Sequence, residues 1–166
     1  LLPKELLLTK RDLTVTGEAE KMQGGAAAFD KLIDGDLSEG SLAELKWGIT
    51  SEEGISLPLS LEFNFNKPQE ITRFEVFNRP QYTNGKIKKL SAKAYDEAGK
   101  VYDLGTKEVT NEDKSVTFNI VEAKTQVPSG TKLAKVGIVF EESHSGPLML
   151  SVAEVQFTAK NSAYVE

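Results

Sequence analysis

Between residues 57 and 66 apolar and polar side chains alternate. Leu57, Leu59, Leu61, Phe63 and Phe65 share one parity, and Ser60, Glu62, Asn64 and Asn66 the other. Successive side chains of a strand point to opposite faces, so the pattern predicts a strand with one buried side. Pro58, which has no N–H to give to a ladder, belongs at its start or at an edge. Shorter alternating stretches predict strands over 71–77, 87–95, 115–121, 133–140 and 148–157. Turn signals separate them: Asn84-Gly85, which suits a type I′ turn, then 97–100, 111–114, Pro128-Ser129-Gly130 and Ser145-Gly146-Pro147. A first edge strand is expected over 13–16, an extended lead-in or a helical turn over 4–9, and a short helix over 24–31. Short strands at this spacing predict an all-β, antiparallel sandwich of jelly-roll type with about eight strands.

In the closing stretch the parity changes. Leu150 and Val152 lie on one face, Val155 and Phe157 on the other. A β-bulge beside Ala153 would reconcile them, as would a strand buried on both sides.

At 166 residues the chain fits one domain, 1–166, large enough to bury about 70% of its unfolded surface. Its opening Leu-Leu-Pro, with no initiator Met, reads as the edge of a module cut from a larger protein. No apolar run approaches the ~18 residues of a membrane span. A net charge of −5 argues against a nucleic-acid footprint, and Lys86, Lys88 and Lys89, the densest basic group, read as a solvated strand edge. The absence of Cys excludes disulfides and thiolate metal sites. No nucleophile elbow, zinc-helix motif or phosphate loop is present. The carboxylate pairs Glu52-Glu53 and Glu141-Glu142 point to opposite faces of any strand that holds them. The chain is therefore not expected to be an enzyme, a small carboxylate hydrolase being the remaining catalytic alternative.

Chemistry concentrates in a short acidic loop, Leu32-Ile33-Asp34-Gly35-Asp36-Leu37-Ser38. Hard cations take roughly 6–8 oxygen ligands, and two Asp around a Gly supply part of such a shell. Glu154, arriving from far along the chain, would complete it. An Asx-stabilised turn is the alternative.

The order of Asp34-Gly35-Asp36, Trp47, Phe77-Asn78-Arg79-Pro80, Asn84-Gly85-Lys86 and Ala153-Glu154-Val155 resembles the F5/8 type C, or discoidin-like, family over residues 2–159. Its bacterial members are the family 32 carbohydrate-binding modules. The resemblance implies a structural Ca2+ ion held by the Lys31 carbonyl, Asp34, Asp36, Ser38 or Ser41, the Ala153 carbonyl and Glu154. The stretch 37–46 is longer than the family's usual spacing to Trp47, which leaves one ligand open between Ser38, Gly40 and Ser41. It also implies that Trp47 is buried behind the ion loop.

The resemblance further implies a terminal galactose or N-acetylhexosamine as ligand, with Arg79, Tyr82, Asn84 and His144 as its contacts. These types suit a sugar, whose hydroxyls need forked donors and amides and whose C–H face packs on an aromatic ring. Arg79 has a second reading, as a brace holding its loop through backbone carbonyls. His144, the only His, has no His or Cys partner for a zinc site. The expected function is that of a monomeric, non-catalytic accessory module of an exported bacterial protein. Such a protein would be extracellular, at the cell surface or in the periplasm, and linked to a catalytic domain such as a glycoside hydrolase. A protein-interaction or structural domain without a sugar site is the alternative.

Overall fold

Ten strands among the described residues, 1–48 and 51–165 of a computed structural model, form two five-stranded antiparallel sheets. They are β1 (Glu5–Leu7), β2 (Leu13–Gly17), β3 (Ala43–Glu44), β4 (Leu59–Gln69), β5 (Ile71–Asn78), β6 (Ile87–Asp96), β7 (Val101–Glu108), β8 (Ser115–Asn119), β9 (Leu133–Ser143) and β10 (Ser151–Lys160). One sheet has the order β1-β10-β5-β8 with β3 also on β10; the other runs β2-β4-β9-β6-β7.

The alternation over 57–66 is realised in β4, where Leu59, Leu61, Phe63 and Phe65 are buried. Phe157 of β10 joins the two sheets, its ring centroid 5.3 Å from those of Phe63 and Phe65 and 5.1 Å from that of Phe74, which stacks on Phe118 at 4.8 Å. The expected lead-in is extended, as β1, and 13–16 is an edge strand, as β2. The expected short helix is a 3-10 helix, Gly25–Leu32.

Three features depart from the sequence reading. Strand β7 carries no continuous alternation, because Gly105, at φ 88°, sits where the register with β6 slips. Strand β6 is interior to its sheet, so Lys88 and Lys89 are not on an edge; they lie 3.9 and 3.8 Å from Glu142. Trp47 is 59% exposed, against the expected core position, because β3 ends before it and Met22, Leu32, Leu42 and Leu45 fill the core at this end.

The bulge in β10 is present: Val152 pairs with Asn78 and Glu154 with Phe77, so Ala153 is skipped. Beyond it Val155, Phe157 and Ala159 face the core while Glu154 stays on the other parity. Strand β5 occupies one edge of β10 for most of its length. The other edge is shared by β3, at Ser151 and Val152, and β1, at Thr158 to Lys160. The gap between them is where the acidic loop meets Glu154.

Candidate functional site

The rim of the sandwich at the end of β5 and the start of β6 carries the loop from Arg79 to Lys86. Its base is fixed by buried Asn78, whose Oδ1 accepts from Arg79 N at 3.1 Å and Ile87 N at 2.9 Å. Its tip is a turn closed by Lys86 N–H to Thr83 C=O at 3.3 Å. Of the two central residues only Gly85 has positive φ, 80°, so the turn is of type II and the type I′ expectation is corrected. Gly85 is required here: a Cβ would meet Ser151 N and Oγ at 2.9 Å. Its N–H donates to Ser145 Oγ at 2.8 Å, which seats the 143–146 loop against the turn.

Glu39, which the sequence reading did not single out, organises the rest. Its carboxylate accepts from Arg79 Nε at 3.0 Å and ion-pairs with Nη2 at 3.0 Å. It also takes the N–H groups of Gln81 at 3.0 Å and Tyr82 at 3.4 Å. Burial raises the Glu39 pKa, but the Arg79 hydrogen bond, the two backbone N–H groups and the charge of Arg79 outweigh it, and the net direction is down. Arg79 Nη1 donates to the Asn84 carbonyl at 2.8 Å, and the guanidinium lies 5.4 Å from the centroid of the Tyr82 ring. The brace reading of Arg79 is thus present in the geometry. A guanidinium has five N–H donors, and three of them serve these contacts, leaving one on each terminal nitrogen.

Tyr82 is 56% exposed and Asn84 is exposed beside it. His144 belongs to the same rim, its N–H bonded to Lys86 C=O at 2.9 Å, but its Nε2 lies 2.6 Å from the carbonyl of Val109. The imidazole is therefore engaged with the Val109 carbonyl. Trp47 is exposed two residues after Leu45, whose N–H bonds Leu150 C=O at 3.0 Å, next to the Ser151 N–H that donates to Gly85 C=O at 2.9 Å. A hollow of about 650 Å3 lies elsewhere, on the outer face of the β4-β9-β6-β7 strands over Ser60, Ser91, Tyr95 and Gly137.

The acidic loop is built by local bonds: Asp34 Oδ1 accepts from Asp36 N at 2.9 Å, Asp36 Oδ1 from Ser38 N at 2.8 Å, and Ser38 Oγ from Gly40 N at 3.2 Å. Ser41 Oγ donates to Asp34 Oδ2. Ser38 caps the 3-10 turn Glu39–Ser41, which leaves Ser41 as the hydroxyl beside Asp34. Glu154 is 2% exposed; its Oε2 accepts from Gly35 N at 2.7 Å, while its Oε1 is buried with no hydrogen-bond partner. Burial pushes the Glu154 carboxyl up to about 8, with the nearby Asp34 adding to it despite the Gly35 N–H. No cluster of three or more His, Cys, Asp or Glu side chains suited to a metal occurs among the described residues. A hard cation nevertheless fits this donor set. Two carboxylates and a hydroxyl converge, one buried oxygen has no partner, and the remaining ligands would be carbonyls such as those of Lys31 and the bulged Ala153.

No family model matches the chain, and no curated protein matches its sequence. Solved structures do. A family 32 module of a family 31 glycoside hydrolase, bound to GalNAc, has a TM-score of 0.71 at 29% identity, over 88% of this chain and 96% of that one. The chain has the discoidin-like fold of the family 32 carbohydrate-binding modules. The family 32 module of C. perfringens NanJ, in complex with galactose, matches this module with a TM-score of 0.71 at 18% identity, over 93% and 98% of the two chains. Another from Clostridium perfringens, in complex with GalNAc-β-1,3-galactose, gives 0.60 at 20% identity over 87% and 92%. These are binding modules and not catalytic domains, in keeping with a non-enzymatic module. Glu39 escaped the sequence reading because its partner lies 40 residues away. Its one signal was the long stretch 37–46 that separates the acidic loop from Trp47.

Proposed function

We propose that this module binds a terminal sugar of galactose or N-acetylhexosamine type on the rim formed by Arg79, Tyr82 and Asn84, with Trp47 as a second aromatic surface. The observation that carries the reading is the held arginine beside an exposed ring: Arg79 is fixed by Glu39 and Asn84 yet keeps two N–H donors next to the face of Tyr82. Forked donors meet vicinal hydroxyls, and the ring packs the sugar's C–H face. A fixed arginine also loses little freedom on binding. His144, held to Val109, contributes to the rim's shape more than to donors. Galactose and GalNAc in the matched modules support the ligand class.

Asp34, Ser41, Glu154 and carbonyls of Lys31 and Ala153 would hold a structural Ca2+, with Asp36 and Ser38 shaping the loop. The ion would supply positive charge between buried and exposed carboxylates and tie the two ends of the chain together. The module would act as a monomer within a longer exported protein; one matched module comes from a family 31 glycoside hydrolase of Clostridium perfringens. There even weak binding raises the local concentration of a catalytic domain at its substrate. Few desolvated contacts at a shallow rim set Kd near the millimolar level, about −4 kcal/mol.

Titrating GalNAc, galactose and glucose into the 15N-labelled chain tests this. Shifts should concentrate at residues 79–85 and the Trp47 side chain, and both Arg79→Ala and Tyr82→Ala should abolish them while the spectrum stays folded. Normal binding by a folded Arg79→Ala chain, or shifts centred on Tyr95 and Gly137, would place any sugar elsewhere.

A further inference from the structure

We infer that Glu39 couples the cation loop to the ligand loop, so that cation binding organises Arg79 and Tyr82 and glycan affinity depends on the ion. This rests on the reading of both sites given above. Glu39 is a positioning residue; it is not itself a sugar contact.

The coupling follows a continuous path. Ser41 Oγ donates to the Asp34 carboxylate, and Asp34 lines one hollow with Glu154, whose Oε2 takes the N–H of the next residue, Gly35. Ser41 closes the 3-10 turn that starts at Glu39, and the turn is held from the other side by Ser38 Oγ and by Ser38 N on Asp36. The position of Glu39 is thereby set by the position of Asp34. Glu39 in turn takes four donors from the ligand loop: Arg79 Nε and Nη2, Gln81 N and Tyr82 N. A second path, through Gly35 N on Glu154 Oε2, fixes the other end of the acidic loop to β10. A divalent cation between the Asp34 and Glu154 carboxyls would draw both toward a common centre. That draws in Asp34, and with it Ser41 and the Glu39 turn.

Ordering the ligand loop in advance removes part of the entropy that sugar binding would otherwise cost. Linkage then requires that the sugar tighten the cation by the same factor as the cation tightens the sugar. Among the described residues, the hydrogen bonds that tie Arg79 and Tyr82 toward the acidic loop run through Glu39, so substitution of this carboxylate tests the coupling.

The experiment compares the wild-type chain with Glu39→Gln, each in EDTA and in millimolar Ca2+, by amide NMR with and without GalNAc. Melting temperatures are measured in parallel. In the wild type Ca2+ alone should move the Gln81 and Tyr82 amides as well as those of 34–41, and should lower the GalNAc Kd several-fold, on the order of fivefold or more. In Glu39→Gln, Ca2+ should still raise the melting temperature and move 34–41. The amides of Gln81 and Tyr82 should no longer respond, and Kd should be the same with and without the ion. Glu39→Asp, one methylene shorter, checks that a folded chain with the charge retained but out of reach behaves like Glu39→Gln. The inference is overturned if Ca2+ binds neither chain. It is equally overturned if Ca2+ leaves Gln81 and Tyr82 unmoved in the wild type, or improves GalNAc binding equally in both chains. If GalNAc binds nothing, the sugar reading fails alone, because the response of Gln81 and Tyr82 to Ca2+ still decides whether the loops are coupled.

Discussion

The core around Phe157 and the rim around Glu39 are held together by opposite means. In the core, Phe63, Phe65, Phe74 and Phe157 meet through non-directional contacts between the two sheets, so losing one ring weakens many neighbours a little. On the rim, single directional bonds join groups far apart in sequence, such as Glu39 to Arg79 and Gly35 to Glu154, whose separations are 40 and 119 residues. The core therefore sets how stable the module is, while the rim sets what shape its loops present. A mutation in one should register mainly in stability, in the other mainly in binding.

The strongest way to break this contrast is Phe63→Ala. Removing a fully buried ring from the contact between sheets should cost about 3–5 kcal/mol, whereas Asn64→Ala, on the outer face of the same strand, should cost under about 1 kcal/mol. Urea midpoints for the two variants measure the difference directly. Comparable losses would mean that the faces of β4 are not distinguished as described. The next effect belongs to the acidic loop, where a bound ion would let rim chemistry reach global stability. At a hundredfold excess of Ca2+ over its Kd, the ion should add about 2.7 kcal/mol, and Asp34→Ala should remove most of that gain. Superimposable melting curves in EDTA and in Ca2+ would exclude the ion while leaving the sandwich intact.

The same contrast explains what could be read from the sequence. Strand β4 was legible because hydrophobic alternation is a local signal, and the β10 bulge because a parity change is one too. Strand β7 was missed where Gly105 interrupts its period. The acidic loop was legible because its ligand types cluster, and the placing of Arg79 and Tyr82 side by side because they share one loop. Glu39 was not, since nothing near it in sequence announces a partner across the rim. Neither was the role of Asn78, whose side-chain oxygen closes both ends of the 79–86 loop from a buried position. Trp47 was misplaced because the family resemblance fixes residue order, whereas burial depends on how much space Met22, Leu32, Leu42 and Leu45 already fill.

The smallest effect sharpens the comparison by taking a rim-like contact that holds no functional loop. Glu5 on β1 accepts from Thr72 Oγ1 at 2.6 Å and pairs with Arg73 Nη1 at 3.2 Å, both on β5, across β10. The Thr72 hydrogen bond lowers its pKa from the ordinary 4.5; partial burial opposes this, and the Arg73 hydrogen bond and charge add to the lowering. A folded pKa below the unfolded one means that the contact's stabilisation is fully present above the ordinary value of 4.5 and is lost as pH falls through the lowered folded value. Glu5→Gln has no proton to take up, so its stability should fall less steeply than that of the wild type in this acid window. The two curves should differ at neutral pH by less than about 1 kcal/mol, because the pair is exposed and screened. Urea midpoints from pH 7 down to acid conditions for both chains read the slope difference, and parallel curves would show that the contact is absent in solution. The variant should bind GalNAc and Ca2+ as the wild type does. A change in either would mean that directional contacts anywhere on the sandwich, and not only those on the rim, set the shape of the ligand loop.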